Sequence, residues 1–274
     1  MPPSGTLGEI LEATRERVLA LEATRPPAVA PVELAKASPR TRPARPSLRE
    51  ALSGGGKVAV IGEIKRRSPS KGDLHPALSA AVQAGLYQRG GAAAVSVLTE
   101  PTRFGGSLQD LRDAAAACDL PLLKKDFHIA LSQLPEAFDA QASALLLIAR
   151  ALPPHELLSL MRRANDAGME TVVEVRSEEE LEAALRGGAT IVGVNSRDLE
   201  TLEVDDDVPA RLIPRIPAGV VAIWESGVGT VAHVQRAADA GADAVLVGSA
   251  LSRSTDPEGL VRQLASVPRK PRHG

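Results

Sequence analysis

Aromatic side chains are scarce in this chain, with three Phe, one Tyr and one Trp among 274 residues. That is too few to build the stacking platforms on which single-stranded nucleic acid is read. A single cysteine, Cys118, excludes an internal disulfide framework and a thiolate-rich zinc site. The five histidines (75, 128, 155, 233 and 273) show no ligand spacing, so no metal is expected. Neither sign of charge dominates: 32 basic and 34 acidic residues leave a net −2, which draws the chain to neither nucleic acid nor membrane. No apolar run approaches the roughly 18 residues of a membrane span, and no secretory h-region opens the sequence. The expectation is a cytoplasmic monomer that meets a small molecule. The 44% hydrophobic content suffices for a sizeable core.

Residues 1–50 differ from the rest of the chain. Leu7, Ile10, Leu11, Thr14, Val18 and Leu21 fall at helical spacing on one face. Thr6 and Glu9 form a T-x-x-E start signal. A proline-rich passage comes next, which neither helix nor central strand accommodates. This extension reads as an arm whose helix docks over another surface. A short helix over 47–51 precedes three glycines.

From residue 51 to 267, apolar β-prone runs alternate with Ala/Leu-rich helical runs. Strands are expected at 58–65, 92–98, 120–125, 143–149, 170–175, 190–195, 219–226 and 243–249. Helices are expected at 76–89, 107–117, 131–141, 154–167, 178–187, 206–214, 229–240 and 257–266. Strands apolar throughout belong to a parallel sheet covered by helices. Gly91-Ala92, Gly188-Ala189 and Gly241-Ala242 each join a helix to the next strand, with Gln141-Ala142 in the equivalent place. This repeat favours a closed α/β TIM barrel, (β/α)8, over an open sheet, and no G-x-G-x-x-G marks a dinucleotide fold. Residues 268–274 read as a basic tail, solvated like the arginines of 40–49.

Barrel active sites lie at the C-terminal ends of the strands. There the sequence places Glu63 and Lys65, Lys124 and Lys125, Glu174, Asn195 and Arg197, Glu225-Ser226-Gly227, and Gly248-Ser249. One such charge is ordinarily solvated. A set of them inside apolar runs must be paired or functional, because an unpaired buried charge costs several kcal/mol. Alternation puts Glu63 and Lys65 on one face. The glycine turns after the last two strands suit a phosphate. Asp205–Asp207 reads as a helix start, and Cys118 as a packed thiol.

In these strings the chain resembles the indole-3-glycerol phosphate synthase family of tryptophan biosynthesis. The carriers are IGEIKRRSPSKGDL (61–74), SVLTEPTRFGGSL (96–108), LLKKDF (122–127), VEV (173–175), VNSRDLETLEVD (194–205), ESG (225–227) and VLVGSAL (245–251). The resemblance implies a carboxy-lyase without a cofactor. Its phosphorylated substrate, 1-(2-carboxyphenylamino)-1-deoxyribulose 5-phosphate, is closed to the indole with loss of CO2 and water. It implies Lys125 as general acid and Glu174 as acid or base for dehydration, with Lys65 and Glu63 orienting the reacting groups beside Ser68. Asn195 and Arg197 would hold the anthranilate moiety, Phe104 would pack on its ring, and Glu225 would anchor the network. Ser226, Gly227, Gly248 and Ser249 would cradle the phosphate. Neighbouring cations are expected to lower the Lys125 pKa towards neutrality.

The sequence departs from the common family pattern at His128–Leu131, Gln141–Ser143, Arg150 and Trp224. Two other readings stay open on the sequence. A sister barrel of the pathway, phosphoribosylanthranilate isomerase, needs a Cys–Asp pair, whereas Cys118 falls at the end of an expected helix. A barrel retained only for binding would lack the Lys125/Glu174 pair.

Overall fold

The structure, a computed structural model, describes residues 5–24 and 45–272. Eight parallel strands form a closed barrel: β1 (Ala59–Ile64), β2 (Ala94–Leu98), β3 (Leu122–Lys125), β4 (Ala144–Ile148), β5 (Glu170–Val175), β6 (Ile191–Asn195), β7 (Val221–Glu225) and β8 (Ala244–Val247). Each strand pairs with its sequence neighbours, and β8 closes the ring on β1 through Ala59–Ala244 and its three successors. Two hydrophobic shells arise from the period-2 alternation. Val60, Val95, Leu122, Val173, Val192, Trp224 and Val245 face the helices. Ile61, Leu123, Leu146, Val172, Ile191, Ile223 and Leu246 fill the barrel.

Helix starts explain most of the connections. Ser79, Ser107, Ser177 and Thr230 each cap a helix by accepting from a backbone N–H, which satisfies a donor the helix leaves free. The repeat at the helix-to-strand joints is real: Gly91, Gly188 and Gly241 all have positive φ. Gln141 adopts the same conformation at φ 64°, at a cost of roughly 1 kcal/mol for a residue with a Cβ. The expected 206–214 helix is shorter, Asp207–Leu212, and runs into a 3-10 turn, Ile213–Arg215. Short helices at Pro101–Phe104 and Ser249–Arg253 carry no periodicity a sequence reading could detect.

The two ends of the barrel are closed differently. At the N-terminal end, helix Leu48–Ser53 buries Leu48 and Leu52 under the strands. Glu170 at the start of β5 holds it, accepting from Ser47 Oγ at 2.8 Å and Leu48 N at 2.5 Å. At the other end lies the long helix Gly5–Thr24, with Leu7, Ile10, Leu11, Thr14 and Val18 buried. Thr6 lies inside this helix, so the capping-box reading is corrected: Glu9 pairs outward with Arg103 at 2.5 Å. The proline-rich residues 25–44 lie outside the described residues.

Three of the arginines read as solvated, Arg45, Arg269 and Arg272, instead hold protein partners. Arg45 donates to the carbonyls of Cys118 and Leu120 at 2.9 and 3.0 Å, and to that of Ala115. Arg269 and Arg272 both bind Asp243, at 3.2 and 2.6 Å. Tertiary carbonyls and a buried carboxylate supply partners that local composition does not reveal.

Candidate active site

Inward-facing residues at the strand ends surround a cavity of about 540 Å³ at the C-terminal mouth. Of the residues the sequence placed at the strand ends and their loops, Glu63, Lys65, Ser68, Phe104, Lys125, Glu174, Asn195, Arg197, Glu225, Ser226, Gly227, Gly248 and Ser249 all line it, and Lys124 does not. Helix Gly5–Thr24 contributes Thr6 and Ile10 to its wall.

Lys125 is the centre of the acidic wall. Its Nζ lies 2.8 Å from Glu225 Oε2 and 3.2 Å from Glu174 Oε2. Asn195 Nδ2 donates to the other Glu174 oxygen at 3.0 Å. The Asn195 side-chain oxygen Oδ1 in turn accepts from Arg197 N at 2.9 Å. One continuous chain of bonds therefore links β3, β5, β6 and β7. Across the cavity, Lys65 pairs with Glu63 at 2.5 Å. Two glycines make room for these carboxylates. A Cβ on Gly193 would stand 1.9 Å from Glu225 Oε1, and one on Gly248 would stand 2.1 Å from Glu63 Oε1.

The expected lowering of the Lys125 pKa is overturned. Burial alone lowers it, but Glu225, Glu174 and Glu63 together outweigh burial and hold the ammonium above the ordinary lysine range. The sequence showed Lys124 beside it; strand alternation sends Lys124 to the opposite face and leaves Lys125 among carboxylates. The titration near neutrality belongs to Glu225. Burial, opposed by Lys125 and reinforced by Glu174, lifts its carboxyl to about 7.

The opposite wall is basic. Lys71, Arg197 and Arg253 line the cavity, and none has a carboxylate partner among the described residues. Burial, then Arg253, Arg197 and Lys65, lower the Lys71 pKa, so cations crowd one another along this wall. Arg197 donates to Leu202 O at 2.6 Å, which fixes its direction. Sequence reasoning missed Lys71 and Arg253. The first sits in the turn between the two-residue strands Arg67–Ser68 and Gly72–Asp73. The second reaches the cavity from the far end of the helix after β8. Reading onward from Ser249 by one helical turn would have found it. Arg150, a departure from the family pattern, supports the site from outside: it pairs with Glu180 at 3.0 Å and with Asp198, next to Arg197, at 3.7 Å. Cys118 is buried on the outer face, remote from the cavity lining.

Fold and cavity together define a (β/α)8-barrel enzyme equipped for proton transfer on a small anionic molecule. The model of the indole-3-glycerol phosphate synthase family matches residues 7–264, and the chain belongs to that family. It is 45% identical over 265 residues to an indole-3-glycerol phosphate synthase of Mycobacteroides abscessus, covering 96% of this chain and 95% of that one. It is 49% identical over 211 residues to one from Parafrankia sp., covering 77% and 79%. Among solved structures, the tryptophan synthase α subunit of Legionella pneumophila superposes with a TM-score of 0.58 at 15% identity, covering 87% of this chain and 98% of that one. That likeness shows the barrel alone.

Proposed function

We infer that this cavity closes the indole ring by means of Lys125, with each residue's role assigned from its geometry. The reaction is that of the family: 1-(2-carboxyphenylamino)-1-deoxyribulose 5-phosphate is converted to indole-3-glycerol phosphate, CO2 and water. The aryl carbon bearing the carboxylate attacks the ribulose carbonyl carbon, and the carbonyl oxygen gains negative charge. A proton from Lys125 Nζ makes that oxygen a hydroxyl, so no free alkoxide forms. An ammonium held charged by two carboxylates is a permanent acid at neutral pH, and the alkoxide is the stronger base, so transfer runs downhill. Loss of CO2 restores the aromatic ring. The hydroxyl then leaves as water while the adjacent nitrogen-bearing methylene carbon loses a proton to form the indole double bond. Glu174 takes that proton and passes it to the departing hydroxyl, and Asn195 fixes the Glu174 carboxylate.

The basic wall supports two anion subsites. Arg197 suits the anthranilate carboxylate through its planar fork. Lys71 and Arg253 line the same cavity as the Ser226-Gly227 and Gly248-Ser249 turns and suit the phosphate dianion. A site completed by one chain supports a monomer, and balanced charge with few aromatics supports a cytoplasmic enzyme without nucleic-acid or membrane partners.

The observation that carries this reading is the placement of Lys125 between Glu174 and Glu225, in a cavity also lined by Lys71, Arg197 and Arg253. Mixing the protein with substrate should produce growing indole fluorescence. Lys125→Ala should lose at least about 10²-fold in kcat, the ordinary worth of a positioned acid, with KM within about tenfold. A variant retaining a tenth of wild-type kcat would show that another group is the acid.

A further inference from the structure

Behind Lys125 lies a buried set of charges that the reaction leaves unused. Lys124, fully buried on the outer face of β3, places Nζ 2.8 Å from Glu136 Oε1, 3.2 Å from His128 Nε2 and 3.6 Å from Asp126 Oδ2. The other ring nitrogen of His128 lies 2.7 Å from Leu146 O. A carbonyl only accepts, so that nitrogen carries the proton and Nε2 turns a lone pair towards the ammonium. Burial and Lys124 push His128 down to about 3, so it is neutral. Two cations, Lys124 and Arg17, then balance two carboxylates, Asp126 and Glu136.

Arg17 is the member that does not belong to the barrel. It comes from helix Gly5–Thr24, and its guanidinium lies 2.7 Å from Asp126 Oδ1. The same oxygen accepts from Phe127 N at 2.8 Å, and Oδ2 accepts from Thr99 Oγ1 at 2.6 Å. Burial opposes the Asp126 charge, but Lys124 and Arg17 outweigh it and hold the carboxyl well below the usual carboxylate range. One carboxylate thus joins the mouth-covering helix, the end of β2 and the backbone just past β3. It belongs to the residue following Lys125.

Another ion pair from that helix to the barrel, Glu9–Arg103, is solvent-exposed on both sides and contributes little. Arg17–Asp126 is different because the Asp126 side is only 3% exposed. Removing the Arg17 charge leaves Asp126 with Lys124 as its nearest cation, on the far face of the strand. The carboxylate is then drawn outward, and Phe127 N and the Lys125 backbone move with it. Lys125 Nζ must keep 2.8 Å to Glu225 while facing substrate, so a small backbone shift is felt at the reacting atoms.

We propose that Arg17 and Asp126 are positioning residues for Lys125, so that docking of helix Gly5–Thr24 sets the general acid as well as covering the mouth. The proposal rests on Lys125 being that acid, and Lys125→Ala measured in parallel tests that reading separately. The experiment compares Arg17→Met and Arg17→Lys in the full chain. The Arg17 side chain is one-third exposed and Asp126 keeps three other partners, so both variants should fold. Arg17→Met should lower kcat about tenfold, in line with the cost of misplacing a reacting group, and raise KM no more than about threefold. The limbs of its kcat–pH profile should move. Arg17→Lys should recover most of the loss. Raised KM with unchanged kcat and pH profile would mean that Arg17 only holds the cover. A lowered melting temperature with unchanged kcat would reduce the pair to a structural tie. Either result overturns the proposal.

Discussion

Substituting Gly193 by alanine adds one methyl group, yet it should disable the site. Gly193 lies on the inward face of β6, directly below Asn195, and pairs in register with Glu174 and Ile223. The added Cβ would stand 1.9 Å from Glu225 Oε1, 3.0 Å from its Cδ and 3.4 Å from Val172 Cγ1. A carbon and an oxygen approach comfortably only to about 3.3 Å, so the Glu225 carboxylate must retreat by roughly 1.4 Å. That breaks its 2.8 Å bond to Lys125. A misplacement of this size commonly costs about 10²-fold in rate, equivalent to roughly 2.7 kcal/mol of transition-state stabilisation. The overpacked interior should lose a further ~1–3 kcal/mol of stability. Initial rates followed by indole fluorescence at saturating substrate, with a thermal melt of the same sample, separate the two effects. Val194 supplies the control: it faces the helices, so Val194→Ala should lower Tm and leave kcat nearly unchanged. A folded Gly193→Ala protein with kcat within about threefold of wild type would refute the role given to Glu225.

Glu225 also carries a pH signature. Its carboxyl titrates near 7 in the folded protein against an ordinary 4.5, so between those values the folded state holds more protons than the unfolded chain. Stability from this group is therefore fully present below about 4.5 and lost as pH rises through about 7. Wild-type Tm should fall between pH 5 and 8 and Glu225→Gln should flatten that fall; parallel curves would refute it. Trp224, 2% exposed and 5.9 Å beneath the Arg236 guanidinium, should emit at short wavelength and resist iodide, unaffected by inorganic phosphate. Water-like emission would reverse the orientation of β7 and with it that of Glu225.

The barrel was legible because its strands are continuously apolar and its helix-to-strand joints repeat, down to Gln141 standing where the other repeats have Gly. The candidate site was legible because charges interrupting such strands have few alternatives to a shared purpose. What stayed hidden depends on neighbours distant in sequence. The sequence placed Lys124 beside Lys125 at the strand end, yet Lys124 and Asp126 are buried with His128 of the same segment because Glu136 and Arg17 arrive from two other elements. The pKa of Lys125 reversed direction for the same reason, since its decisive partners lie 49 and 100 residues away. Gly193 gave no signal because its meaning lies in the side chain of the next strand.

The last described residues act at the place where the ring is closed. Val58 N donates to Val267 O, Arg269 N donates to Gly56 O, and Pro268 bridges Lys57. Arg269 and Arg272 converge on Asp243, which opens β8. During synthesis the first strand therefore waits, one edge unpaired, until almost the whole chain has left the ribosome. An unpaired strand edge is a template for wrong partners, and pairing across so long a stretch of sequence is slow. Termination ahead of residue 268 would keep the β1–β8 ladder but strip the Arg269 and Arg272 ties from its start, so an affinity tag or fusion joined to this end must follow Arg272 rather than replace it.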